Sequence, residues 1–124
     1  MIKEETTPLV IDIAKSYVEC LQGIDPNWTK GYLRFFSQQA VSEVKGSYTN
    51  GSDVSIVNVL KHKVFFHALN DKGRVLLELL GKKQGVFLLT IDANFSYEIA
   101  FEYQEMDRWK ISKLDGGSGI PEGI

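Results

Sequence analysis

KHKVFFHALNDKGRVLLELLGKK, residues 61–83, is the stretch whose reading decides the fold. Its middle, Asn70-Asp71-Lys72-Gly73, has the composition of a turn and could join Val64–Leu69 to Arg74–Leu80 as a β-hairpin. The apolar spacing says otherwise. Phe65, Phe66, Leu69, Leu76 and Leu80 share one helical face, and the surface-facing residues are mostly Lys, Arg, Asp and Glu. One helix is therefore predicted, carrying Gly73 in its interior at a cost of about 1 kcal/mol relative to Ala. With six Lys or Arg against two acids, this helix is basic, and Lys82-Lys83 near its C-terminus suit the helix dipole.

Downstream, Gly85 opens the run Val86-Phe87-Leu88-Leu89-Thr90-Ile91, apolar without alternation, as in a central strand covered on both faces. Asp92-Ala93-Asn94 turns the chain into an alternating strand. Trp109–Leu114 reads as a last short strand, and residues 115–124, rich in Gly and with Pro121, as a tail that is a flexible contact arm or packs Ile120 and Ile124. Upstream, Thr7-Pro8 has the form of an N-cap followed by a first-turn proline, and Gly23 of a stop, which predicts a helix from about 8 to 22. Val10, Ile13, Ala14, Tyr17 and Leu21 would be its buried stripe, with Cys20 beside them. After the Asp25-Pro26 turn, Trp28–Ser37 and Val41–Thr49 alternate as antiparallel strands, and Asn50-Gly51 signals a hairpin returning through Val54–Leu60. The expected class is α+β: a single antiparallel sheet, centred on Val86–Ile91, with an N-terminal helix and a long central helix packed on it.

At 124 residues the chain fits a single domain, 1–124, able to bury roughly two thirds of its unfolded surface. A net charge of −2 argues against a nucleic-acid binder. Cys20 stands alone and cannot close an internal disulfide, which excludes a disulfide-stapled scaffold and points to a cytoplasmic setting. The N-terminus lacks the pattern of a signal peptide, and no run approaches the ~20 apolar residues of a membrane span, so no membrane partner is expected.

Residues 92–107 carry five carboxylates and no Lys or Arg. Phe95, Tyr97, Ile99, Phe101 and Tyr103 fall on one face of an extended chain; Ser96, Glu98, Ala100 and Glu102 fall on the other. The second face, continued by Glu105 and Asp107, makes an acidic strip suited to a basic partner, although charged outward faces also serve simply to keep a sheet edge unpaired. The candidate partner-binding acids are thus Glu98, Glu102, Glu105 and Asp107.

The patterns for chemistry fail on geometry, and no catalytic, cofactor or metal site is expected. His62 and His67 would stand about 140° apart on a helix, which prevents them from sharing one metal. Cys20 has no base on its own helix, and no nucleophile motif surrounds it. Gly116-Gly117-Ser118-Gly119 is followed by no helix and lacks the Lys of a phosphate loop. Glu98 and Glu102 would lie ~13 Å apart along a strand, too far for a glycosidase pair.

The order of these segments carries a resemblance. Ile24-Asp25-Pro26-Asn27-Trp28 leads into a strand with Tyr32, a helix follows, and then come Phe87-Leu88-Leu89-Thr90-Ile91 and Tyr97-Glu98-Ile99-Ala100-Phe101-Glu102-Tyr103. Arg108-Trp109, followed by Gly119-Ile120-Pro121-Glu122, is similar to a closing Trp and Gly-Ile-x-Pro-Glu segment. Over most of its length the chain resembles the YezG-type immunity proteins of bacterial polymorphic-toxin and contact-dependent growth inhibition systems. That resemblance implies a cytoplasmic, non-enzymatic protein that binds the C-terminal toxic domain of a secreted effector and blocks its active site. Where the toxin is a nuclease its cleft is basic, and an acidic strip can mimic the phosphate backbone. The resemblance also implies tight binding through a few anchors, a role for exposed aromatics such as Trp109 or Tyr103 near the acids, so Trp109 joins the partner-binding candidates.

A rival comes from another class. A helix followed by a curved sheet ending in strand, turn and Trp-Lys-Ile also looks like an NTF2-like cone, which holds a small ligand or an enzyme site. Residues 62–82 would then be largely strands, and His67 and Asp92 would point into the cavity. A homodimer or adaptor joined through sheet edges needs only the exposed strand.

Overall fold

The computed structural model describes residues 3–124, with side chains placed from Thr6 onward. It has two helices, α1 (Lys3–Ile24) and α2 (Lys63–Leu79), on one antiparallel sheet of β1 (Lys30–Gln38), β2 (Val41–Asn50), β3 (Asp53–Ile56), β4 (Gln84–Asp92) and β5 (Tyr97–Glu102). The strand order is β3-β2-β1-β4-β5. β1, β2 and β3 form a meander; α2 then carries the chain over the sheet to lay β4 on the free side of β1. The α+β class and the single helix at 63–79 are as the sequence predicts, and the hairpin that the NTF2-like reading requires is absent.

The differences have local causes. α1 begins at Lys3, so Pro8 lies inside it and not at its first position; the ring costs the helix one N–H bond, while the flanking turns continue. β3 stops at Ile56 because Asn58 accepts from the N–H groups of Leu60 and Lys61 and starts a 3-10 turn, Val59–Lys61. β4 is flanked on both sides, yet the middle strand of the five is β1. Trp109–Leu114 is not a strand: it crosses the face of the sheet instead of joining its edge.

Successive residues of β1 and β4 point to opposite faces, and both faces are buried. On one, Leu33, Phe35, Phe87, Leu89 and Ile91 meet Ile13, Tyr17 and Leu21 of α1 and Phe66, Leu69, Leu76 and Leu77 of α2. On the other, Tyr32, Val86 and Leu88 are covered by Trp109 and Ile111, with Met106 and Ile120 packed alongside. Residues 104–122 therefore form a strap across the second face. Residues 115–124, expected as a flexible tail, lie partly within it: Gly119 N–H donates to Ser112 O, Glu122 N–H to Lys110 O, and Ile120 packs while Ile124 stays exposed.

Glycine sets how closely the helices approach. A Cβ on Gly73 would stand 2.5 Å from the Phe35 ring, so α2 rests on β1 at the one point where it has no side chain. Ala is normally the better helix former by about 1 kcal/mol. Gly73→Ala is nonetheless expected to destabilise the protein by about 1–3 kcal/mol, the usual cost of overpacking. Urea denaturation reads this directly, and a more stable variant would mean that α2 does not ride on Phe35.

Candidate functional site

The acidic segment becomes the edge of the sheet and the start of the strap. β5 pairs only with β4, Val86 opposite Glu102 and Thr90 opposite Glu98, which leaves its other side open among the described residues. Ile99, Phe101 and Tyr103 pack against the helix-side core as their alternation predicts. Phe95 does not join them. It sits in the β4–β5 turn with φ of 70° and is 59% exposed, and Tyr97 is partly exposed beside it.

The five acids are not the uncompensated strip that the sequence window implied. Glu102 binds Arg108 Nη1 at 2.7 Å, and its other oxygen accepts from the N–H groups of Gln104 (3.1 Å) and Glu105 (3.2 Å). Its side chain is only 17% exposed. The Arg108 hydrogen bond, followed by those backbone donors, pulls its carboxyl down to about 2. Asp107, itself well exposed, reaches Lys110 at 3.3 Å, and Asp92 reaches Lys30 at 3.8 Å across the β1–β4 register. Among the described residues Glu98 and Glu105 alone of the five have no cationic partner, and both are exposed.

Trp109 is not an exposed anchor. It is 6% exposed, packed with Tyr32, Val86, Leu88 and Ile111, and the Arg108 guanidinium lies 4.6 Å from its ring centroid. The residue that neutralises Glu102 is thus the one immediately beyond the window in which the acids were counted. A carboxylate at a strand end with Arg six residues on is the signal that could have revealed a closed turn.

Arg34 was missed altogether. On the strap side of β1 it is 5% exposed, and its guanidinium donates to Arg108 O at 2.8 Å and Met106 O at 2.6 Å, with Glu43 at 4.0 Å. Burial lowers its pKa, opposed by Glu43, Asp107 and Glu122. A cation inside an otherwise apolar strand gives no sign in the sequence of what satisfies it.

A cleft of about 680 Å³ lies between α1 and the start of α2, lined in part by Lys61, Lys63 and Lys72. It brings Cys20 and His62 to the same cavity, which sequence spacing did not reveal, but no hydrogen bond joins them and burial pushes the Cys20 thiol up, away from thiolate. His67 lies on α2 beside Ser42 and Asn70, whereas Asp92 ends β4 in its pair with Lys30; the two do not form a common site. Among the described residues, no three His, Cys, Asp or Glu converge to hold a metal, and no helix is long and apolar enough to cross a membrane. No known protein family matches the chain, and no curated protein matches it significantly in sequence.

Glu102 is a structural carboxylate with a readable pH signature. Because its folded pKa lies below the ordinary value of 4.5, its ionised form stabilises the fold above that value, and the contribution disappears as pH falls toward about 2. Glu102→Gln is expected to lower the denaturation midpoint at neutral pH and to converge with wild type in acid, whereas Glu98→Gln should match wild type throughout. Equal losses for both variants would remove Glu102 from the turn.

Proposed function

We propose that this protein is an immunity-type inhibitor: it binds a basic toxin domain, of nuclease character, through the β5 edge and the first turn of the strap. The observation that carries this reading is the pair of exposed carboxylates, Glu98 and Glu105, which have no cationic partner among the described residues and flank an unpaired strand edge. Asp107, whose side chain is 88% exposed despite Lys110, extends the negative surface. Carboxylates so placed raise the association rate of a cationic partner and occupy the groove where a phosphodiester would sit. Glu102 and Trp109 hold the strap in shape and take no direct part.

The resemblance of Ile24–Trp28, of the β4 and β5 segments and of Arg108-Trp109 to YezG-type immunity proteins supports the same reading. On this reading the protein acts in the bacterial cytoplasm as a non-catalytic partner of the toxin's C-terminal domain, with no cofactor, no nucleic-acid contact and no membrane contact of its own. A lone Cys20 is at home in that reducing setting.

The reading expects the gene immediately upstream to encode a large toxin, and the C-terminal domain of that toxin is the partner for the test. A stoichiometric complex is expected, and charge reversal at both Glu98 and Glu105 to Lys should slow association by about tenfold and flatten its salt dependence, with the fold unchanged. Stopped-flow association at two ionic strengths measures both. Neutralisation of the toxin with rate and salt dependence unaltered would move the interface off this edge, and the absence of a complex would overturn the function.

A further inference from the structure

The face of the β4–β5 turn opposite to Glu98 carries an apolar groove of about 420 Å³, with Ala14, Val18 and Ile91 below and Ile11, Phe95 and Tyr97 at its walls. Three of these, Ile11, Phe95 and Tyr97, are substantially exposed. Phe95 is the anomalous residue. The turn is fixed by Phe95 N–H to Asp92 O, Asp92 N–H to Ser96 O and Ala93 N–H to Thr29 O, and these bonds hold Phe95 at φ of 70°. Asn or Gly adopts that left-handed backbone readily; a bulky aromatic does not. Phe95 therefore strains the turn, and 59% exposure leaves its ring with little burial to offset the strain. For the isolated fold it is a poor choice of residue, and it becomes a good one when the ring enters another molecule.

Charge identifies that molecule. Lys15 and Glu19 border the groove one helical turn apart on α1, both exposed, and neither has an ionic partner among the described residues. Lys preceding Glu by four residues is also the weaker orientation for pairing within a helix. A two-fold axis crossing α1 between them would set Lys15 of each copy against Glu19 of the other, giving two equivalent ion pairs around the apolar patch. A surface with one cation and one anion so arranged is its own complement, as an isologous interface requires. We propose that this groove is the interface of a homodimer, with Phe95 of each copy packed into the groove of its partner. Glu98 lies on the other face of the sheet, so the dimer leaves the acidic edge free and does not depend on its function.

Sedimentation equilibrium on the full chain tests this. A reversible monomer–dimer equilibrium is expected for wild type. Phe95→Asn should raise the dissociation constant by at least about thirtyfold, as for loss of an interface hot spot. Because Asn suits the left-handed position, thermal melting in the dilute, monomeric range should not fall, which separates lost contact from lost folding. Lys15→Glu and Glu19→Lys should each weaken the dimer by about tenfold, and their combination should restore it to within about threefold of wild type, since the pairs re-form with signs exchanged. A chain that stays monomeric at every concentration would overturn the proposal and leave the groove to a partner of another kind. A dimer indifferent to Phe95→Asn, or a double exchange that fails to recover, would overturn this interface as well.

Discussion

A strand that is apolar on both faces must be covered twice, and this protein has two such strands side by side, β1 and β4. Helices supply one cover, as is usual in α+β domains, and here α1 and α2 both lie on that one face. The other cover is irregular chain, which must satisfy its own backbone groups while lying on Tyr32, Val86 and Leu88. Most other features follow from this demand: the depth of Trp109, the return of the Gly-rich segment, and the engagement of Glu102 with the turn that launches the strap.

Arg34 and Tyr17 meet the demand from opposite faces. Removing a guanidinium from water costs several kcal/mol unless its donors are bonded, and Arg34 finds its acceptors in the carbonyls of Met106 and Arg108. It thereby fixes the strap in register on β1. Across the sheet, the Tyr17 hydroxyl lies 2.7 Å from Tyr32 O and 2.9 Å from Ser47 O, in a space that exists because Gly46 has no Cβ to fill it. Burial pushes its ionisation well up, so it remains a neutral donor. Each face is thus keyed by one polar group reaching backbone oxygen, which gives apolar layers a definite registration.

The sequence made the helical elements and most strands legible because burial imposes a period on each of them. α2 was readable through Phe66, Leu69 and Leu76 despite Gly73, whose reason, the Phe35 ring beneath it, exists only in three dimensions. Period also misleads. Trp109 and Ile111 alternate as in a strand because both face the sheet, but alternation records burial and not hydrogen-bonded pairing. Phe95 continued the aromatic alternation of β5 on paper, while the turn bonds took it out of the strand. Of the candidate contacts, Glu98 and Glu105 kept the exposure that the pattern gave them, whereas Glu102 was claimed by the local turn to Arg108 and Trp109 by distant partners, Tyr32, Val86 and Leu88, that local spacing cannot reveal.

The position of the strap has a consequence for biosynthesis. Ribosomes deliver β1 through β5 before residues 104–122, so the nascent sheet can assemble its helix-covered face while Tyr32, Val86 and Leu88 are still bare and Arg34 lacks its carbonyl acceptors. For that interval the chain is a half-clad sheet with an open edge, the kind of species that aggregates or recruits a chaperone. Closure comes only when residues 104–122 have left the exit tunnel, which makes emergence of the strap, and not formation of the sheet, the step that ends this vulnerability.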